Sequence, residues 1–268
     1  MKREYFYPDV NDKITIALIK EKEPFQGYWE KSENEILRLI KELIKKRSIR
    51  STNSWLLDAG CGTGRLLPEF QQYFSHILAV DPDSTQIEKA GKLARDKEFS
   101  DKVIFKVSLV EQLDWEKESI DVILCSHIIQ HVHTETISKI LHKFNEILKQ
   151  DGLLFILTTH SRNDFDYYVK GYLKNSKSIE EKIREEKFNS LINIEQNVLP
   201  LHFFSIKNVK TILKNSGFVL LDYRSFHVLG KLTFLDKITN RDHLVNTFEC
   251  LKTRFGRDIL IISQKLVK

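Results

Sequence analysis

The sequence predicts a doubly wound α/β fold, and three observations predict it. Segments that read as strands alternate with segments that read as helices from Ser54 to Thr159. VILC (Val122–Cys125) and LLFIL (Leu153–Leu157) are near-continuous apolar runs, the pattern of a parallel sheet buried on both faces. The stretch WLLDAGCGTGR (Trp55–Arg65) passes from a short apolar strand through alternating glycines into a segment of helical spacing.

Taken in order, residues 1–50 form a helical extension. Tyr5, Phe6 and Tyr7 precede Pro8, and a mixed helical segment covers about 11–20. PFQGYW (Pro24–Trp29) is an aromatic loop, and a second helix runs over Ser32–Lys46 with Ile36, Leu39, Ile40, Leu43 and Ile44 on one stripe. Ser32 and Glu35 are spaced like a capping box. Strands are expected at 55–59, 77–80, 103–107, 121–126 and 153–159, and helices at 65–74, 84–97 and 134–149. Pro68 falls in a first helical turn, where its missing N–H is harmless, and QDG (Gln150–Gly152) puts a glycine in the C′ position of a closing helix.

After Thr159 the alternation stops. Residues 160–204 read as polar helical turns with scattered aromatics (Phe165, Tyr167, Tyr168, Tyr172, Phe188), and their place after the fifth strand predicts a helical lid at the ligand edge of the sheet. A helix over 206–216 closed by Gly217, a strand over 218–226, an irregular insert over 229–257 and a last strand over 258–264 complete the chain. One domain of 268 residues is expected: extension 1–50, ligand-binding half 51–159, lid 160–204, C-terminal part of the sheet 205–268.

Composition narrows the function classes. The 42 basic and 37 acidic residues are intermixed, and no aromatic–basic stripe signals nucleic acid. The basic run Lys41–Arg50 sits where a helix ends, where cations favour the dipole. Cys61, Cys125 and Cys250 are far apart with no CxxC spacing, so neither a disulfide framework nor a zinc site is indicated. No apolar signal core opens the chain and no run reaches the ~20 apolar residues of a membrane span, so a cytoplasmic location is expected.

The glycine turn after the first strand offers backbone N–H groups to a ligand. A dinucleotide fingerprint, G-x-G-x-x-G from Gly60, would place its third glycine at 65; that residue is Arg65, and the glycine is Gly64. Asp81 ends the second strand 21 residues after Gly60, where a carboxylate can accept both hydroxyls of a ribose. A ribose reader without a pyrophosphate turn points to a nucleoside ligand and disfavours a nicotinamide-dependent oxidoreductase.

In succession, LLDAGCGTGRLL, AVDPD, SIDVILCSHIIQHV and ILKQDGLLFILTT closely resemble the motifs of class I S-adenosylmethionine-dependent methyltransferases, in particular the group that includes quinone-biosynthesis enzymes. The match covers about 54–160, with a looser one at 202–221. The resemblance implies a Rossmann-like seven-stranded sheet whose antiparallel last strand inserts between strands five and six. It also implies S-adenosylmethionine as cofactor and S-adenosylhomocysteine as product. Carried over, Asp58 and Gly60 hold the methionine end, Cys61, Gly62 and Gly64 shape the turn, and Asp81 takes the ribose with Pro82 against the adenine. Ser126 and His127 flank the methionine end. Where an acidic residue often reads the adenine amino group, this chain has Leu109, which can pack on the ring while Val110 offers its N–H.

Residues outside those motifs leave alternatives open. Tyr28 and Trp29 either close over the ligand or anchor the extension. His127 and His131 stand at i, i+4, but the resemblance carries no metal there, and none is expected. A nucleophilic Cys61 has no base beside it in the motif. His160 and His202, at the two ends of the lid, are the candidate bases. The acceptor implied is small or lipid-like; a protein or RNA acceptor, or a non-catalytic cofactor-binding partner protein, is the alternative. The oligomeric state is not readable.

Overall fold

The computed structural model describes residues 28–47, 53–175, 177–192, 194, 198–228 and 240–266. The expectations for 1–27, 48–50 and 229–239 lie outside the described residues. The strands are β1 (Trp55–Ala59), β2 (His76–Asp81), β3 (Val103–Val107), β4 (Ile120–Ser126), β5 (Leu148–Thr159), β6 (Tyr167–Lys174), β7 (Lys177–Ile183), β8 (Val198–Phe203), β9 (Phe218–Phe226) and β10 (Asp258–Lys265). The helices are α1 (Tyr28–Lys46), α2 (Leu67–Phe70), α3 (Ser84–Asp96), α4 (Thr134–Ile147), α5 (Glu185–Leu191), α6 (Ile206–Asn215), α7 (Arg241–Thr247) and α8 (Glu249–Lys252).

Seven strands form the main sheet in the order β3-β2-β1-β4-β5-β10-β9, and β10 runs antiparallel to both neighbours. Strand alternation splits the core in two. Leu57, Ala59, Leu78 and Val80 pack with the apolar stripe of α4 (Ile137, Ile140, Leu141, Phe144) and with α6. Leu56, Ile77 and Ala79 pack on the other face with Ile36, Leu37, Ile40 and Ile44 of α1 and with α2 and α3. Helices on both faces explain why the central strands are apolar on both sides. The strand order reverses between β1 and β4, which places a crevice at the carboxyl ends of these strands.

Five expectations need correction. Residues 160–204 are mainly β, not helical: β7, β6 and β8 form an antiparallel three-stranded sheet in that order, and α5 is the only helix there among the described residues. Charged β7 hides its strand character, and Pro200 sits inside β8. That proline is tolerated because β8 is an edge strand paired only with β6.

Ser32 does not cap α1, which begins at Tyr28; it is buried, its hydroxyl donating to Asp242 and accepting the His227 N–H at 2.9 Å. α4 ends at Ile147, so QDG is no helix cap, and the positive φ (62°) falls on Asp151 rather than on Gly152. The helix expected over 65–74 contracts to Leu67–Phe70 with flanking turns. Within the second insert, residues 240–257 contain α7 and α8.

The small sheet is fastened to the main one at β5. Phe204 N–H donates to Thr159 O at 3.2 Å, Ser161 N–H to Phe204 O at 2.8 Å, and the Thr159 hydroxyl to His202 O. It therefore stands at the carboxyl edge, where a lid was expected.

Candidate functional site

The site grows from the end of β1. Asp58 is the fourth residue of that strand, beside Ala79 of β2 and Leu124 of β4. It is 2% exposed, and its Oδ2 has no hydrogen-bond partner. Burial pushes its carboxyl up to about 7, with Arg65 pulling the other way and Asp81 adding to the rise. A buried carboxylate oxygen without a partner is costly and fits a cationic ligand group.

The turn follows with Gly60, Gly62 and Gly64 at φ 63°, 53° and 79°. A Cβ on Gly60 would stand 2.5 Å from Ile128, whereas one on Gly62 would meet nothing within 4 Å. So Gly60 lets the turn pass under the loop after β4, and Gly62 keeps open space in front of the turn. Cys61 N–H donates to Val80 O at 2.9 Å, tying the turn to β2. Burial raises the Cys61 thiol well above its ordinary value, which leaves it a protonated packing group rather than a nucleophile.

Asp81 ends β2 half-buried. Its Oδ2 accepts the Gly62 N–H at 2.9 Å and its Oδ1 the Asp83 N–H at 2.9 Å. Burial raises its carboxyl and these two amides work against the rise. Each oxygen keeps a further lone pair, so an aimed carboxylate stands ready for a diol. Pro82, directly after β2, and Leu109, two residues after β3, are half-buried, and Val110 opens a 3-10 turn whose first N–H groups lack helical acceptors.

At the end of β4, Ser126 is half-buried and His127 takes φ 57°, its N–H donating to Leu157 O at 2.8 Å. Burial lowers the His127 pKa. Gln130, which sequence reading missed, fixes this corner: its Oε1 accepts from Thr158 Oγ1 at 3.0 Å and from Thr159 N–H at 3.1 Å. His131 points elsewhere, its Nδ1–H donating to Pro200 O at 3.0 Å, and burial lowers its pKa to about 3. Among the described residues no group of three or more His, Cys, Asp or Glu side chains could hold a metal ion.

Tyr28 is committed to anchoring. Its hydroxyl donates to Asp242 Oδ1 at 2.5 Å and accepts the Val228 N–H at 2.8 Å, while the Arg241 guanidinium lies 3.7 Å from its ring centre. Trp29 stacks on His227 at 3.7 Å. Both ring nitrogens of His227 face acceptors, Asp258 Oδ2 at 2.6 Å and Trp29 O at 3.2 Å. Tyr28 and Trp29 lie about 200 residues in sequence from these partners, which carry no local signal.

The two candidate bases are enclosed rather than open. His160 is 1% exposed; its Nδ1–H donates to Phe255 O at 3.2 Å, and burial lowers its pKa to about 4. His202 is 2% exposed, its Nε2–H donates to Asp166 Oδ2 at 2.7 Å, and its Nδ1 has no partner. Burial opposes ionisation of Asp166, yet the hydrogen bonds from His202 and Ser205 hold its carboxyl below the usual range. Tyr168, Phe188 and Phe204 surround the imidazole.

The known proteins that resemble this chain agree with the geometry. The profile of the family described as "Methyltransferase domain" matches residues 28–223. The chain is 29% identical over 185 residues to the ubiquinone/menaquinone biosynthesis C-methyltransferase UbiE of Campylobacter jejuni, covering 64% of this chain and 73% of that one. It is 30% identical over 122 residues to a ubiquinone biosynthesis O-methyltransferase of Bradyrhizobium diazoefficiens, 44% of this chain and 46% of that one. Among solved structures, an S-adenosylmethionine-dependent methyltransferase from Clostridium acetobutylicum superposes with a TM-score of 0.57 at 13% identity, covering 85% of this chain and 89% of that one. The 1,6-didemethyltoxoflavin-N1-methyltransferase of Burkholderia thailandensis, solved with its acceptor and S-adenosylhomocysteine, gives 0.56 at 16% identity, covering 90% and 82%. These structural likenesses speak for the fold alone. With its sheet order, its glycine turn and a family match over most of its length, the chain belongs to the methyltransferase-domain family.

Proposed function

We propose that this S-adenosylmethionine-dependent methyltransferase acts on an O, N or C nucleophile of a small or lipid-like acceptor enclosed beneath the β6–β8 sheet. The unpartnered Oδ2 of Asp58 carries the reading of the donor side. That oxygen suits the ammonium of the methionyl tail, and Gly60 supplies backbone beside it. Asp81, held by the Gly62 and Asp83 amides, suits the ribose hydroxyls. Pro82, Leu109 and Val110 suit the adenine, and Ser126 and His127 the tail's far side. S-adenosylmethionine supplies an activated methyl on a sulfonium, so the protein's work is alignment and exclusion of water.

On the acceptor side, the small sheet is latched to β5 at Thr159 and Ser161. A covered edge suits a molecule that can be enclosed, and the relatives include a C-methyltransferase and an O-methyltransferase of quinone biosynthesis. Where the acceptor must lose a proton, His202 is the base in this reading. Asp166 holds its Nε2–H and leaves Nδ1 as the accepting nitrogen for an acceptor admitted beneath the sheet.

The test is incubation with S-adenosylmethionine and a panel of hydroquinones, phenols and amines, reading S-adenosylhomocysteine release and product mass. A methylated small molecule is the expected result. Transfer to protein or RNA alone, with every small acceptor inert, would overturn the proposal.

A further inference from the structure

The methionyl tail carries an ammonium and a carboxylate, and Asp58 answers only the first. A carboxylate lodged beside Asp58 needs a cation, or two like charges would repel across the crevice. Arg65 is the residue that leaves the glycine turn. Its guanidinium grips a carboxylate in a two-point fork: Nη1 lies 3.0 Å from Glu33 Oε2, and Nη2 lies 2.8 Å from Glu33 Oε1. Glu33 belongs to α1, which covers the Asp58 face of the sheet. The Arg65 side chain remains 56% exposed while that of Glu33 is 17% exposed, so the guanidinium is open to solvent beside a largely covered carboxylate.

The charge of Arg65 also acts on both walls of the methionine end. It favours the ionised form of Asp58 and disfavours a proton on His127. A bare surface ion pair would contribute roughly 0–1 kcal/mol to stability. The buried links of Tyr28, Ser32 and His227 already hold α1 in place without it.

The geometry points to Arg65 as the residue that binds the methionyl carboxylate, with Glu33 as its placeholder, so that cofactor binding exchanges one carboxylate for another at the guanidinium fork. The inference rests on the donor-side reading above. It makes Arg65 a discriminator between ligands that carry the amino-acid tail and those that lack it. It also makes the Glu33 contact of α1 sensitive to the cofactor.

The test uses calorimetric titration with S-adenosylhomocysteine, which carries the tail, and 5′-methylthioadenosine, which lacks it. Arg65→Gln is expected to weaken S-adenosylhomocysteine about 10- to 100-fold, the range of a charge-assisted two-point contact, and to leave methylthioadenosine within about twofold. Glu33→Gln frees the fork and is expected to tighten S-adenosylhomocysteine severalfold without moving methylthioadenosine. Equal losses for both ligands in Arg65→Gln, no loss for either, or a Glu33→Gln that weakens the tailed ligand would overturn the assignment. If Arg65→Gln does not fold, the Glu33→Gln titration decides alone. Failure of the wild type to bind either nucleoside is a different result, one that removes the donor-side reading itself.

Discussion

The amide of Gly62 lies 2.9 Å from Oδ2 of Asp81, so the turn that ends β1 aims the carboxylate that ends β2. Two motifs that look independent in the sequence are one piece of structure. Asp81→Ala removes the carboxylate and leaves the Gly62 and Asp83 amides without their acceptor. The expected outcome is a loss of about 100-fold in S-adenosylhomocysteine affinity, from two charge-assisted hydrogen bonds, measured by calorimetry. A change of less than threefold would remove Asp81 from the ribose.

Asp58 is costly to the ligand-free protein. Its folded pKa of about 7 stands above the ordinary 3.8, so the folded protein holds an extra proton between those values. Stability therefore falls as pH rises through that window, by up to about 4 kcal/mol at 1.4 kcal/mol per pH unit. Asp58→Asn is expected to raise the Tm of the ligand-free protein at pH 8 and to have little effect at pH 4. Identical shifts at both pH values would contradict the burial of an unpaired charge.

The same ionisation shapes binding. An ammonium ligand pairs with the ionised form of Asp58, so the wild-type Kd for S-adenosylhomocysteine should rise as pH falls below about 7. The limiting slope is about tenfold per pH unit. A Kd flat from pH 8 to 5.5 would argue against Asp58 as the ammonium partner.

Ser32 bridges α1 to the C-terminal part of the fold through Asp242 and the His227 amide. Ser32→Ala strands a buried carboxylate oxygen and a buried N–H, at a cost of about 1–3 kcal/mol. Urea denaturation followed by circular dichroism should show the midpoint fall without a change of slope. An unchanged midpoint would mean that α1 is held by its apolar stripe and the Tyr28 and Trp29 links without help from Ser32.

Gly60 and Gly62 separate fold from function. At Gly60 a Cβ would sit 2.5 Å from the end of the Ile128 side chain, which must move, and φ is 63°, so Gly60→Ala should cost about 2–4 kcal/mol. At Gly62 the space is open and the cost is the positive φ of 53° alone, about 1–2 kcal/mol. Gly62→Ala should therefore fold, with S-adenosylhomocysteine binding weakened. A folded Gly62→Ala with wild-type affinity would place the ligand away from the turn.

The sheet and the donor side were legible because their signals are local. Apolar strands, a glycine turn and an acidic strand end announce themselves within a few residues, and β9 was predicted to the residue. The small sheet was not legible, because β7 is charged and β8 contains Pro200, features that argue against strands when neighbours are unknown. Ser32 shows the same limit. Its spacing to Glu35 imitates a cap, whereas its partners, Asp242 and His227, lie some 200 residues away. His160 and His202 were found as residues but not as environments: Asp166, which orients His202, gives no sign of that role in the sequence.

The measurement that tests the central claim most directly is titration of the folded protein with S-adenosylhomocysteine, wild type beside Asp81→Ala. Saturable one-to-one binding by the wild type, weakened about 100-fold in the variant, is the predicted result. No binding by a wild type whose circular dichroism shows it folded, or equal affinity in both proteins, would contradict it.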